Sequence, residues 1–154
     1  MSTNAIPDTT SQRGSLGELI DRAAITELIH RFGAVLDEQR FDDLQSIFAN
    51  DATITTPGGH AEGIDAIAAQ ASRNHTPDLH TQHVATDLVV DLDGERAHAR
   101  ANYVGTFATG TGSPAPPPRF QIGSVYHFEL VHTADGWRLQ SMEMHPIWAE
   151  GERP

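Results

Sequence analysis

The sequence predicts an α+β domain in which helices pack on a mostly antiparallel sheet. Three observations support this. Helical periodicity comes first in the chain, alternating β-branched stretches come later, and two pairs of those stretches are separated by the turn dipeptides Asp93-Gly94 and Asp135-Gly136. A curved sheet wrapped round a long first helix would bury that helix's apolar stripe and leave a pocket at one end.

In chain order, residues 1–15 are polar, with Pro7, Gly14 and several Ser and Thr, and read as a mobile lead-in. A helical pattern runs from Leu16 to about Gln39, with Ile25, Leu28, Ile29, Phe32 and Leu36 on one face. FDDLQSIFA (Phe41 to Ala49) predicts a second short helix, DATITT (Asp51 to Thr56) a strand, and Pro57 to Gly59 a turn. The alanine-rich stretch from Gly63 to Arg73 predicts a third helix. LHTQHVATDLVVDL, Asp93-Gly94 and ERAHARANYVGTFATG form one long hairpin; FQIGSVYHFELVHT, Asp135-Gly136 and WRLQSMEM form a second. Between the hairpins, Thr109 to Arg119 contains four prolines, which remove donors and fix φ, so it is a loop placed to lie over a cavity mouth. The single domain spans residues 16–150, followed by a polar tail, 151–154.

Composition excludes several chemistries. The 154 residues carry a formal charge of −11, and all ten basic residues are arginine. With no lysine, Schiff bases and lysine-dependent phosphate loops are out; with no cysteine, so are disulfides, thiol nucleophiles and thiolate-bound zinc. The acidic balance, without an arginine cluster, argues against nucleic acid as a partner. No apolar run approaches the ~18 residues of a membrane span, and no signal pattern opens the chain, so the expectation is a soluble, cytoplasmic protein. No G-x-S-x-G, P-loop or dinucleotide fingerprint is present, and no motif implies a cofactor.

Two residues invite a chemical reading. Asp37 lies about 80–100° from the centre of the first helix's apolar stripe, near Thr26, His30 and Gly33, where an acid can look into a cavity beside the core. The plainer reading is an exposed helix-end carboxylate. His83, in LHTQHV, shares a strand face with Thr81 and Ala85, away from His80 and Val84. It is either one more of nine histidines or a proton carrier that needs a partner to fix its tautomer, for which Asp37 is a candidate. A metal site from His75, His80 and His83 is disfavoured, because His80 and His83 point to opposite faces of a regular strand. Ala97, Ala99, Ala101, Tyr103, Gly105 and Phe107 alternate on one face of their strand, leaving space for a pocket or for close helix packing. Ser124, Tyr126, Phe128 and Leu130 share a face of the next strand, mixing apolar walls with two hydroxyls. Trp148 follows the last expected strand and either caps the pocket or packs on the surface.

The stretches ITELIHRFGAVLDEQRFDDLQSIFANDATI, Gly63 to Ile67, LHTQHVATD, DGERAHARANYV and ADGWRL, in this order, resemble the SnoaL-like branch of the nuclear-transport-factor-2-like superfamily, over about Ala24 to Leu139. The resemblance implies a cone-shaped α+β barrel, helices closing one side of a strongly curved sheet around a deep apolar pocket. Within that group the chain is similar to scytalone dehydratase and the bile-acid 7α-dehydratases. It implies that Asp37 and His83 form their acid/base pair and that Ser124 and Tyr126 fall at two polar pocket positions. A further polar position lands at Asn102 or Tyr103. The chain departs at Phe32 and at Thr56, where the dehydratases have tyrosines that polarise a carbonyl.

The implied function is a cofactor-free lyase, of dehydratase type, on a small, mostly apolar substrate of aromatic, polyketide-like or terpenoid character. Asp37 would fix the tautomer of His83 and stabilise its imidazolium. Ser124, Tyr126, Tyr103 or Asn102 would hold a developing oxyanion, and Phe32, Phe128 and Trp148 would line the walls. An isomerase or polyketide cyclase would use the same pair, and a non-catalytic binding or scaffolding module would not use it. The resemblance also implies a homo-oligomer, a dimer or trimer built through the sheet. No metal is implied.

Overall fold

Helix α1 (Thr9–Asp37) buries Ile25, Leu28, Ile29, Phe32 and Val35, the stripe expected from their spacing, against the inner face of a six-stranded sheet. The computed structural model describes residues 9–73, 75–111 and 114–154; residues 1–8 of the expected lead-in, and Gly112 and Ser113 of the proline loop, lie outside these. The helix starts seven residues before Leu16, and Leu16, Leu19 and Ile20 on its early turns are exposed. None of the described helices is long and apolar enough to cross a membrane.

After α1, residues Phe41–Ser46 form a short 3-10 helix in place of the expected helix to Ala49. Strand β1 (Phe48–Thr56) takes over three residues earlier than expected, because Phe48 already pairs with Leu139, and the Leu139 amide donates to the Ile47 carbonyl at 2.9 Å. That pairing satisfies backbone groups a six-residue helical turn leaves open. Strand β2 (Gly59–Glu62), unforeseen in the sequence, returns antiparallel on β1. Helix α2 (Ile64–Ser72) follows and buries Ile67.

The two hairpins fall where the Asp-Gly dipeptides put them. Strands β3 (Leu79–Asp93) and β4 (Arg96–Thr109) turn at Gly94, at φ 59°; β5 (Phe120–Thr133) and β6 (Gly136–Gly151) turn before Gly136, at φ 94°. Strand β6 runs well past Met144, so Trp148 lies within the last strand, not after it, and the expected tail begins with that strand's last residue. The extension forms because Pro146 to Gly151 pair with Phe120 to Ser124, with Pro146 beside a register shift where its missing N–H breaks no ladder. Gly151, at φ 85°, sits against the Arg119 carbonyl, which a Cβ would strike.

The sheet order is β2-β1-β6-β5-β4-β3, antiparallel except for the parallel β1–β6 pair. It is strongly curved but unclosed, so the expected barrel is an open sheet with β2 and β3 as edges. Bulges supply curvature. One lies between Thr86 and Val89, where Asp87 adopts φ 51° and its carboxylate accepts the Asn102 amide at 2.7 Å.

Candidate active site

Asp37 is the last residue of α1, where a carboxylate meets the negative end of the helix dipole and gains nothing from its own helix. Its stabilisation comes from β3. The His83 backbone amide donates to one carboxylate oxygen at 2.9 Å. The Thr81 hydroxyl and the His83 ring donate to the other at 3.0 and 2.6 Å. Strand alternation puts Thr81 and His83 on the face that meets the helix. Burial pushes the Asp37 carboxyl up, but the bonds from the His83 ring and amide and from Thr81 outweigh it, holding the group below its ordinary value.

The approach of helix to strand is held by Gln39. This residue takes the left-handed conformation just after α1, at φ 54°, and its side-chain amide donates to the Leu79 carbonyl at 3.0 Å and the Thr76 carbonyl at 3.4 Å. The end of the helix is thereby tied to the start of the strand that carries His83.

A carboxylate can only accept, so the 2.6 Å contact puts the proton of the neutral His83 ring on Nδ1. Its Nε2 then carries the lone pair, and no described residue hydrogen-bonds to it. The His83 side chain is 10% exposed and lines a cavity of about 190 Å³. Beside it, Gly105 keeps the wall thin: a Cβ there would lie 3.2 Å from the Phe107 ring and 3.6 Å from His83 Cδ2.

The cavity collects most of the residues singled out in the sequence. Phe32, Thr56, Tyr103, Ser124 and Tyr126 line it. Tyr103 is spoken for, since its hydroxyl donates to the Ile29 carbonyl at 2.8 Å and burial pushes it well above its ordinary value. Tyr126 stacks on Tyr103 with ring centroids 4.3 Å apart, and among the described residues its hydroxyl has no partner. Burial pushes its pKa up to about 12, so it stays protonated and able to donate.

Three expected wall or binding residues lie elsewhere. Asn102 faces the outside of β4, where it bonds Asp87 and Arg100, because it alternates with the inward Ala101 and Tyr103. Phe128 is buried one layer behind the cavity, its ring 6.0 Å from Tyr126 and 6.4 Å from Tyr103. Trp148 lies over Gly123, whose Cβ would collide with the indole, and is 46% exposed. The three histidines weighed as a metal set diverge. His80 is exposed, with Nε2 at 2.9 Å from the Gly110 carbonyl oxygen, while His75 and His83 line the cavity. Among the described residues no three His, Asp or Glu side chains are grouped to hold a metal ion.

Sequence reasoning missed Gln39 as the clamp and His75 as a cavity residue; neither lies in a motif or an apolar stripe. It also missed the arginines at the cavity, Arg73 and Arg153, the second with its guanidinium 5.9 Å from the Phe107 ring centroid.

The fold and the pocket define a class, and the chain belongs to it: residues 17–143 match the SnoaL-like domain family. Among curated relatives, terrestric acid biosynthesis cluster protein E of Penicillium crustosum is 27% identical over 138 residues, covering 87% of this chain and 88% of its own. Among solved structures, an NTF2-like protein with a cystatin-like fold from Novosphingobium aromaticivorans is 26% identical, with TM-score 0.78 and coverage of 93% and 92%. A protein described as a putative scytalone dehydratase, also from Novosphingobium aromaticivorans, shares the fold at 16% identity, with TM-score 0.75 and coverage of 89% and 91%. A hexachlorocyclohexane dehydrochlorinase shares it at 20%, with TM-score 0.75 and coverage of 90% and 93%.

Proposed function

We propose that this protein is a cofactor-free lyase that eliminates water from a small, mostly apolar substrate of aromatic, polyketide-like or terpenoid character. The observation that carries the reading is the 2.6 Å bond between Asp37 and His83 Nδ1, which leaves Nε2 as a base at the wall of a cavity lined by apolar, aromatic and a few polar side chains. His83 Nε2 takes a proton from a carbon next to an activating carbonyl. The C–H electron pair becomes the new double bond, the C–O bond breaks, and the imidazolium returns the proton to the leaving hydroxyl, which departs as water. Asp37 stays ionised and stabilises the imidazolium. The Tyr126 hydroxyl, with Ser124, donates to the oxyanion that develops on the carbonyl. General acid–base help of this kind is typically worth ~10²–10⁴-fold.

The cavity of about 190 Å³ supports a substrate with one ring and small substituents, since a cavity of roughly 150 Å³ accommodates benzene. The Penicillium relative, named for terrestric acid biosynthesis, supports a small-molecule biosynthetic role. Two proteins of the same fold are named for eliminations, a dehydratase and a dehydrochlorinase.

The test is a panel of one-ring β-hydroxy ketones followed by mass spectrometry. A product lighter by one water identifies the lyase; a product of unchanged mass assigns the same pair to isomerisation or cyclisation. His83→Ala and Asp37→Asn should each lower turnover at least ~10²-fold with circular dichroism unchanged. Near-normal turnover in either variant would sink the pair as catalysts.

The reading includes a homo-oligomer built through the outer face of the sheet. By register, Val84, Val104, Gly123 and Trp148 lie side by side across four strands, and Val84 and Trp148 are each 46% exposed.

A further inference from the structure

His75 stands just after α2, on the cavity wall away from any motif, and its ring is fixed from two sides. Nδ1 lies 2.6 Å from the carbonyl oxygen of Ala71, one of the last carbonyls of α2, and the ring meets Phe41 edge-on with centroids 5.0 Å apart. A carbonyl oxygen can only accept, so Nδ1 carries a proton. Burial lowers the His75 pKa, more than the Ala71 bond raises it, and this keeps the ring neutral near pH 7. A neutral ring with its proton on Nδ1 has only a lone pair on Nε2. That Nε2 is shielded from bulk water and has no partner among the described residues.

The Ser124 hydroxyl, on another wall of the same cavity, is also buried and without a partner among the described residues. Buried polar atoms left unmatched are costly and uncommon in folded proteins, and two on one cavity mark where a bound molecule supplies the match. A serine hydroxyl accepts or donates; the His75 nitrogen only accepts. The complementary ligand group is therefore a hydrogen-bond donor, and a hydroxyl is the donor that brings no positive charge beside Arg73 and Arg153 on the same cavity.

We propose that His75 is a specificity-determining residue whose Nε2 accepts a hydrogen bond from a hydroxyl of the substrate, so that the site takes hydroxylated rings, phenols or cyclic alcohols, in preference to their methyl isosteres. This rests on the cavity being the substrate site, but not on the Asp37–His83 pair performing the chemistry. His83 supplies the base, and His75 selects which molecule is presented to it.

The experiment uses p-cresol and p-xylene, which differ by one hydroxyl in place of one methyl, and reads two quantities. The first is the protonation of His75 by ¹⁵N NMR. The expected spectrum at pH 7 has Nδ1 protonated and Nε2 bare, with the Nε2 resonance moving upfield on addition of p-cresol and staying put with p-xylene. The second is the ratio of the two affinities by titration calorimetry. His75→Phe should shift that ratio about tenfold toward p-xylene, the loss of one buried hydrogen bond. His75→Gln, which returns an acceptor oxygen at similar reach, should recover part of the preference for p-cresol. A proton found on Nε2 of the neutral ring, or an unchanged ratio in His75→Phe, overturns the proposal. The catalytic pair is read from turnover in Asp37→Asn, and the selectivity from the p-cresol to p-xylene affinity ratio of wild type against His75→Phe, so the two failures are read separately.

Discussion

Asp37 occupies a position that its own helix disfavours, and three bonds from a strand 44 to 46 residues away compensate. Such a conflict between local preference and tertiary gain is expected at functional positions. It also sets a pH dependence. The folded state holds the Asp37 carboxyl below its ordinary value. Its stabilisation is therefore complete above the ordinary carboxylate range and is lost as pH falls through the lowered value. The Asp37 side chain is 23% exposed, which tempers the size to about 1–2 kcal/mol. Denaturant unfolding of wild type and Asp37→Asn should show a stability gap at about pH 5 that closes below about pH 4, as the Asp37 carboxylate takes up its proton. A gap that persists at pH 2 would show that packing, not charge, separates the two proteins.

At the scale of elements, the site depends on how the end of α1 meets the start of β3. Gln39 makes that junction with two bonds to backbone carbonyls. Gln39→Ala should cost about 1 kcal/mol of global stability, the worth of a typical hydrogen bond. The local effect should be larger: amide exchange at His83, whose N–H is held by Asp37, should quicken about tenfold. Unchanged exchange at His83 would mean that the strand alone positions the pair. The motif-bearing part of this junction was legible in sequence. Alternation placed Thr81 and His83 on one face, and the helical wheel put Asp37 at the edge of the stripe. Gln39 was not legible, because a polar residue after a helix has many partners open to it and only the docked strand selects one.

For the whole molecule, curvature separates two uses of the sheet. The inner face holds α1 and the cavity; the outer face carries the row Val84, Val104 and Trp148 across Gly123. In the oligomer proposed above, that row is covered by a second copy. Val84→Glu combined with Trp148→Glu should then shift light-scattering mass from the assembled form to 16.7 kDa subunits, while Asp37 and His83, on the other face, keep their bond. A mass already equal to one subunit in wild type, or unmoved in the double variant, removes the sheet face as the interface.

The sequence by itself determined the elements whose signals are local: the stripe of α1, the two Asp-Gly hairpins and the alternation that turns Tyr103, Ser124 and Tyr126 inward. These follow from periods of 3.6 and 2 and from turn chemistry, which act over a few residues. Tertiary structure decided what depends on partners distant in the chain. It extended β6 past Trp148 by pairing it with β5, converted the end of the second expected helix into β1, left the expected barrel open, and drew Asn102, Phe128 and Trp148 away from the cavity. It also left His75 Nε2 buried without a partner among the described residues, which shows only once Ala71 and Phe41 surround the ring. Hydrogen-bond satisfaction is a property of the packed molecule, and no periodicity in the chain encodes which buried atom is left without a partner.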